Sequence, residues 1–284
     1  MMSLASSNKL NPSSDYQYPA WYWLIICIAI TCIFTLCLGN VRDYDLQHYH
    51  LYNGYAFWQQ RWLWDYRPAG LHSYFNPLLD ALNYKLISQL PAYGTTIVIA
   101  CLQGISYWLT MCIAFFFFQK TALRHPQWWA FLAAINGLWA ITITRQLGGF
   151  NNDLINSAFV LFSLLQWFIV INTLSQSQQP KRWRVLLSGL SMGIAVGLKL
   201  TMALFAISLI ITALTATLLY RHKMVLIYLI IGMMIGFGLT DGWWAWYLWI
   251  HFHNPVFPFY NAVFHSPQWP LINSSDPNFH LQHK

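Results

Sequence analysis

The sequence has very little charge. Only 8% of its 284 residues are Asp, Glu, Lys or Arg, whereas 57% are hydrophobic and 18% are aromatic. Soluble globular domains carry roughly a quarter charged residues, so this composition excludes an ordinary soluble fold. It indicates a polytopic membrane protein instead.

The motifs of several enzyme classes are also missing. The sequence contains no Walker phosphate loop, no GxSxG nucleophile elbow and no HExxH pair, so nucleotide hydrolases, serine hydrolases and zincins have no motif to support them. Its five cysteines lie in apolar runs without a CxxC pair, and we interpret them as small buried hydrophobic residues. The net charge of +7 comes from short basic clusters between apolar runs, which does not favour a nucleic-acid partner.

Long apolar runs fill most of the rest. A polar tail, residues 1–20, is followed by an uncharged run at 21–38 that is long enough to cross a bilayer and is interpreted as an uncleaved signal anchor. Further spans are predicted at 94–118, 128–143, 154–174, 224–240 and, as two spans interrupted near 197–201, within 185–220. The sequence therefore predicts an all-α polytopic membrane protein with about seven transmembrane helices.

Basic clusters predict the orientation of these spans. The clusters at 120–124, 181–184 and 221–223 all fall on one side of the predicted topology, which the positive-inside rule assigns to the cytoplasm. The amino-terminal tail is then cytoplasmic. A long outer loop at 41–93, the GGFNND turn at 148–153, the GLKLT interruption at 197–201 and a carboxyl tail at 251–284 are expected together on the outer face.

The outer loop contains the residues most suited to chemistry. Four of the eight acidic residues lie between positions 41 and 90. Helical spacing after Asp43 places Asp45 on one face with His48, Tyr49 and Tyr52. A carboxylate beside aromatic rings and imidazoles suits a sugar, whose ring stacks on aromatics while its hydroxyls need acceptors.

Alternative interpretations of these residues remain open. Asp43 and Asp45 are also typical helix caps, and their D-x-D spacing could chelate a divalent ion. His48 and His50 could bind a transition metal, although an H-x-H pair points its imidazoles to opposite sides of a helix. Interfacial His and Tyr residues are common in such loops without any metal.

Two cations are candidates for binding an anion at the outer interface. Lys199 and Arg145 both lie near the outer ends of predicted spans, where they could hold the phosphate of a lipid-linked donor or simply extend to the headgroups. Asn152 and Asp153 precede the fourth predicted span and could orient a substrate hydroxyl, or Asp153 could cap that helix.

The arrangement as a whole resembles the GT-C superfamily of integral-membrane glycosyltransferases. The resemblance lies in a first span followed by a long outer loop with RDYDLQHYHLYNGYAF, and in the later FNPLLD, GGFNND and GLKLT segments. It implies a GT-C-like module over residues 21–250, with two interfacial helices in the loop, in a bacterial inner (plasma) membrane. Members of that superfamily often continue with further spans or a soluble domain, so the resemblance also implies a bare or shortened module.

The resemblance implies the transfer of a sugar from a polyprenyl-phosphate donor to an envelope glycan, lipid or protein acceptor. Asp45, with Asp43 as its competitor, would be the catalytic carboxylate, and a divalent metal is an optional cofactor. Lys199 and Arg145 have no fixed counterpart in the superfamily, and their expected role in binding the donor phosphate rests on their positions alone. The expected substrate-binding residues are His48, Tyr49, His50, Tyr52, Asn152 and Asp153. A carrier for lipid-linked sugars and a non-catalytic membrane subunit are the alternatives.

Overall fold

The structure is a computed structural model that describes residues 16–39, 44–65 and 67–271. Asp43 therefore lies outside the described residues, as do most of the amino-terminal tail and the end of the carboxyl tail. Within the described ranges the regular structure is helical, without a strand. The α-helices are α1 Tyr22–Leu38, α2 Leu51–Gln59, α3 Leu78–Gln89, α4 Ala92–Phe118, α5 Pro126–Asn136, α6 Ile141–Thr144, α7 Asp153–Ser175, α8 Arg182–Leu198, α9 Ala203–Tyr220, α10 Lys223–Thr240, α11 Gly242–Phe252 and α12 Asn261–Phe264.

Four segments of the described chain are long and apolar enough to cross a membrane. They are Ala92–Phe118, Asp153–Ser175, Leu200–Tyr220 and Lys223–Thr240. The helices α1 and α8 have 17 residues each, and α8 begins with two arginines. The all-helical class and the membrane character are thus supported, whereas the count of seven spans stays a prediction.

The third predicted span, 128–143, is not one helix. Helix α5 ends at Asn136, a 3-10 turn covers Gly137–Trp139, and α6 adds only Ile141–Thr144. Asn and Gly are both weak helix formers, and together they interrupt the apolar run. The segment is apolar, as the sequence predicts, but it does not form one continuous helix.

Close helix packing joins α8 to α10. A Cβ atom on Gly189 or Gly193 of α8 would overlap a backbone carbonyl oxygen of α10, and a Cβ on Gly232 or Gly236 of α10 would overlap a carbonyl oxygen of α8. The glycines therefore let the two backbones meet directly, as small residues do at many membrane helix interfaces. Because α7 and α9 also pack against this pair, the carboxyl ends of α8 and α10 are held side by side.

The interruption predicted near 197–201 is present. Helix α8 ends at Leu198, Lys199 is extended, and a 3-10 turn at Leu200–Met202 leads into α9. The chain therefore reverses direction at Lys199, at the same end of the bundle as the start of α7.

The loop between α1 and α4 is largely helical. A π-helix at Leu46–His50 runs directly into α2, and a 3-10 turn at Gly70–Tyr74 precedes α3. The two loop helices expected from the resemblance are present as α2 and α3. The π-turn closes hydrogen bonds between residues five apart, so it changes the angular positions expected for a uniform α-helix.

Candidate active site

A cavity of about 320 Å³ lies where the α1–α4 loop meets the ends of the membrane helices. Its walls come from that loop, the turn before α7, the interruption between α8 and α9, and the chain from the last turn of α10 to residue 259. The first three are segments that the sequence predicted to meet. Of the fourth wall, only residues 255–259 belong to the predicted carboxyl tail at 251–284, whereas Phe237, Asp241, Trp244 and Leu248 precede it. The non-aromatic polar residues lining it are His50, Asn76, Asp80, Asn151, Asn152, Lys199, Thr201 and Asp241.

Asp80 is the centre of a buried polar network beside this cavity. Only 3% of the residue is exposed. Its Oδ1 lies 2.7 Å from Nδ1 of His50 and accepts a hydrogen bond of 3.0 Å from Nδ2 of Asn152. Its Oδ2 accepts a bond of 3.3 Å from Nδ2 of Asn53. Three converging donors suit a carboxylate, which accepts hydrogen bonds and donates none.

The contact with Asp80 determines which nitrogen of His50 can act on a ligand. When Asp80 is a carboxylate, Nδ1 of neutral His50 must carry the proton and donate it, and Nε2 is then an acceptor. His50 is 6% exposed, and its Nε2 has no hydrogen-bond partner among the residues that the structure describes. His50 lines the cavity, and its buried Nε2 is the unsatisfied acceptor of the imidazole ring.

Close packing of α2 on α3 brings His50 and Asn53 to Asp80. A Cβ on Gly54 of α2 would overlap the backbone oxygen of Asp80 and the Cβ of Tyr84, so only glycine permits this approach. On the other side of Asp80, Asn83 of the same helix donates a bond of 2.9 Å to Oδ1 of Asn152. Helix α3 is thus fixed between α2 and the turn before α7.

Asn76 ties the loop to the carboxyl ends of α8 and α10. Its Nδ2 lies 2.8 Å from the carbonyl oxygen of Gly197, 2.9 Å from that of Thr240 and 3.0 Å from Oδ1 of Asp241. The last carbonyl groups of a helix lack partners within the helix, so Asn76 satisfies one group on each. This contact forms one wall of the cavity.

Lys199 reaches the cavity next to an acidic partner. Its Nζ lies 2.5 Å from Oδ1 of Asp153 and 3.2 Å from the carbonyl oxygen of Asn151. An ammonium group has three N–H donors, so these two contacts leave one for a ligand. Asp153 compensates the charge of Lys199, which weakens its attraction for anions.

Aromatic rings form much of the remaining wall. Tyr49 stacks on His72 with ring centroids 4.5 Å apart, and Phe75 stacks on Phe259 at 6.1 Å. Trp244, which also lines the cavity, donates its Nε1–H to the carbonyl oxygen of Tyr74 at 3.0 Å. Flat apolar faces beside carboxylate and imidazole groups suit a ring that carries hydroxyls.

Asp241 is the second carboxylate of the cavity. It follows the last residue of α10 and is half-buried. Desolvation by this burial raises its pKa from 3.8 to about 6, while the hydrogen bond from Asn76 acts in the opposite direction. Asp241 is consequently easier to protonate than an ordinary aspartate.

Five of the residues predicted for the site belong to it. Tyr49, His50, Asn152 and Lys199 line the cavity, and Asp153 is bonded to Lys199. The other described candidates do not line it. Asp45 precedes the π-helix and is part-buried; His48 is exposed and stacks on Tyr44; Tyr52 donates to Asp65 at 2.9 Å; and Arg145 is exposed.

The common face predicted for Asp45, His48, Tyr49 and Tyr52 is therefore wrong in part. Only Tyr49 of the four lines the cavity, because the π-turn at Leu46–His50 changes the residue spacing per turn. The opposite directions expected for His48 and His50 are present, since His48 is exposed and His50 buried.

Sequence reasoning missed the two carboxylates of the cavity. Asp80 is marked in the sequence only as the last residue of the FNPLLD segment, and Asp241 only as the residue that follows the predicted span at 224–240. One signal was present for Asp80: it lies in the first turn of a helix with Asn83 three residues later, so both face one side. The partners Asn53, Asn76 and Asn83 give no comparable signal, because asparagine is common in loops.

The described residues contain no group of three or more His, Cys, Asp or Glu side chains placed to hold a metal ion. The alternative divalent-ion site at Asp43 and Asp45 includes Asp43, which lies outside the described residues.

No family model, curated protein or solved structure matches this chain.

Proposed function

We propose that the chain is a membrane glycosyltransferase of the GT-C type, which moves a sugar from a polyprenyl-phosphate donor to an envelope acceptor on the outer face. The acceptor hydroxyl oxygen attacks the anomeric carbon and its proton goes to Nε2 of His50. The bond from that carbon to the phosphate oxygen breaks, and the electron pair leaves with polyprenyl phosphate. A single displacement of this kind inverts the anomeric centre.

The observation that carries the proposal is the buried His50–Asp80 pair with an unpartnered Nε2 at the cavity. A base must be within hydrogen-bond reach of the proton that it takes, and Nε2 is the acceptor that the cavity offers. As His50 takes the proton it becomes a cation, which Asp80 at 2.7 Å stabilises. Asn152 and Asn53 hold Asp80 in place.

The surroundings of the pair support a lipid-linked donor. The cavity is also lined by the apolar residues Val196, Leu198, Leu200 and Phe237, which lie at the ends of predicted membrane helices, and by Leu248 of α11. These side chains suit the first isoprene units of a polyprenyl chain. The remaining N–H of Lys199 would bind the donor phosphate, in keeping with the role that the sequence predicted for it.

The proposal moves the base from Asp45 to His50. Asp45 does not line the cavity, so a role in proton transfer would require another path to the substrate. Its assignment as the catalytic carboxylate stays a prediction, and the same experiment tests both residues.

The test compares two histidines that are two positions apart, His48 and His50. In a deletion strain complemented with each variant, His50→Gln should reduce the transferred sugar by about 10²-fold or more, because general-base catalysis typically contributes 10²–10⁴-fold. Asp80→Asn should reduce it as well, since an amide cannot stabilise the imidazolium. His48→Gln and Asp45→Asn should retain most of the transfer. Mass spectrometry of envelope glycans at matched membrane abundance measures the outcome.

Undiminished transfer by His50→Gln protein would remove His50 from the mechanism. Loss of transfer in Asp45→Asn but not in His50→Gln would restore the original assignment of Asp45. A folded His50→Gln protein is verified by unchanged thermal unfolding in detergent.

A carrier for lipid-linked sugars is the alternative from another class. Transport requires a polar path through the membrane, whereas Asp80, Lys199 and Asp241 gather at one end of the bundle. Counterflow of a lipid-linked sugar in vesicles without acceptor would favour the carrier. A non-catalytic subunit would instead lose a partner, but no envelope glycan, in the Asp80→Asn strain.

A further inference from the structure

The charges of the cavity point to the class of sugar that it accepts. Lys199 is the one Lys or Arg among the described residues that line it, and Asp153 lies 2.5 Å from its ammonium group. Two further carboxylates, Asp80 and Asp241, line the same cavity without a lysine or arginine partner in the described chain. With His50 neutral, the cavity and its immediate partners are net negative.

The helix ends strengthen this negative potential. Helices α8 and α10 both end at the cavity, and the carboxyl end of a helix carries a partial negative charge. Asn76 offsets part of it by donating to the carbonyl oxygens of Gly197 and Thr240. The amino end of α7 is opposite in sign, but it begins with Asp153.

The two carboxylates differ in their availability to a ligand. Asp80 is 3% exposed and accepts from three neighbouring side chains. Asp241 is half-buried and, among the described residues, accepts one side-chain hydrogen bond, from Nδ2 of Asn76 to its Oδ1 at 3.0 Å. Asp241 can therefore accept a further bond from a hydroxyl or an ammonium group of a ligand.

We propose that the cavity accepts a sugar unit without acidic substituents on its ring, and that Asp241 is the residue that excludes uronic acids and sugars that carry a phosphate in addition to the one that links them to the lipid. The inference rests on the proposed function and specifies its substrate class. The donor phosphate lies at Lys199, and the sugar lies between the aromatic walls beside Asp241. A carboxylate on the sugar would meet Asp241 in a partly buried site, where like charges repel strongly.

The test uses three short alkyl glycosides that differ in one substituent: hexyl β-glucoside, hexyl β-glucuronide and hexyl 2-amino-2-deoxy-β-glucoside. The full chain is placed in nanodiscs of zwitterionic lipid at pH 7.5, and saturation-transfer NMR titrations give each Kd. Wild-type protein should bind the glucuronide about tenfold or more weakly than the glucoside. The amino glycoside should bind at least as tightly as the glucoside.

Asp241→Asn should bring the Kd values of glucuronide and glucoside within about threefold of each other, since an amide removes the repulsion but keeps a hydrogen-bond acceptor. A cooperative thermal unfolding transition in the same nanodiscs would show that the variant is folded. Asp65→Asn is the matched control, because Asp65 pairs with Arg61 and does not line this cavity. It should keep the wild-type selectivity.

The outcomes separate this inference from the proposed function. Equal or tighter binding of the glucuronide to wild-type protein would overturn the charge selectivity and leave the transferase proposal in place. Selectivity that survives in Asp241→Asn would remove Asp241 from the role. If none of the three glycosides binds saturably, the inference about charge selectivity fails, and transfer in the His50→Gln strain decides the transferase proposal separately.

Discussion

At the scale of single residues, the site depends on which side of one helical segment a side chain faces. His48 and His50 are separated by one residue, yet His48 stacks on exposed Tyr44 and His50 is buried against Asp80. The sequence predicted opposite directions for the pair but could not say which one faces inward. That choice is made by Asp80, which is 30 positions away in the chain.

Asp241 gives a prediction for stability against pH. Its pKa is raised to about 6 in the folded protein from an ordinary value of 3.8, so the folded state binds its proton more tightly than the unfolded state. This contribution favours folding below about pH 4 and is lost as the pH rises through about 6. The difference in Tm between Asp241→Asn and wild-type protein should therefore shift in favour of the variant as the pH rises from 4 to 7.

Thermal unfolding in detergent at closely spaced pH values measures this difference. The contribution of Asp65 to the pH dependence of stability has the opposite sign, because its bonds with Arg61 lower its pKa. That contribution is the same in both proteins, so it cancels in the Tm difference. A Tm difference that stays constant over this range would contradict the raised pKa of Asp241 in the folded protein.

The sequence identified four of the residues that line the cavity. They are Tyr49, His50, Asn152 and Lys199. Polar residues in or beside apolar segments are unusual, so the sequence indicates them as candidates for a site. The sequence does not single out Asp80, because an aspartate is common in the first turn of a helix, where the helix dipole stabilises its negative charge. Its burial comes from α2, the turn before α7 and their asparagines, and such tertiary contacts leave no local pattern.

At the scale of elements, the α8–α10 pair sets the geometry of the cavity. A Cβ on Gly236 would overlap the carbonyl oxygen of Leu190, whereas a Cβ on Gly238 of the same helix meets no heavy atom within 4 Å. Gly236→Ala should destabilise the protein by roughly 1–3 kcal/mol, because rigid backbones must move apart. Gly238→Ala should be neutral or slightly stabilising, since alanine favours a helix.

The Tm values of the two variants in one detergent test this packing. Equal Tm values would contradict direct backbone contact between α8 and α10. A lower Tm for Gly236→Ala should come with weaker glycoside binding, because the helix carrying Asp241 is displaced relative to the one that ends beside Lys199.

The elements themselves were largely predictable where apolar runs are long and continuous. The runs at 94–118, 154–174 and 224–240 coincide with α4, α7 and α10 to within two residues at either end. The run at 128–143 was misjudged because hydropathy averages over the Asn136–Gly137 interruption. The π-turn at Leu46–His50 was not foreseen either, since apolar periodicity assumes a uniform helix.

At the scale of the whole molecule, the polar residues of the cavity and the basic clusters lie at opposite ends of the helices. The cavity lies at the end where α7 starts and α8 and α10 finish. The clusters at 181–184 and 221–223 lie at the starts of α8 and α10, and Lys120 of the third cluster bonds to Asn172 near the end of α7. Because successive helices alternate in direction, the sequence could predict that the four site segments share one end, without any knowledge of their contacts.

The same alternation yields a topology prediction. Alkaline phosphatase, which is active only after export, should be active when fused after Leu90 and inactive when fused after Ala122 or Gln178, because basic clusters are retained in the cytoplasm. Green fluorescent protein at the same positions should give the reciprocal pattern. A fusion after Phe150 decides whether the interrupted segment α5–α6 crosses the membrane: phosphatase activity there would add it to the spans.

The inverse pattern of reporter activity would place the cavity at the cytoplasmic face. A transferase there would have direct access to nucleotide-activated sugars, so the reason for a polyprenyl-linked donor would disappear. The fusions after Leu90 and Gln178 therefore test the side of the membrane from which the donor reaches His50, independently of any sugar or acceptor.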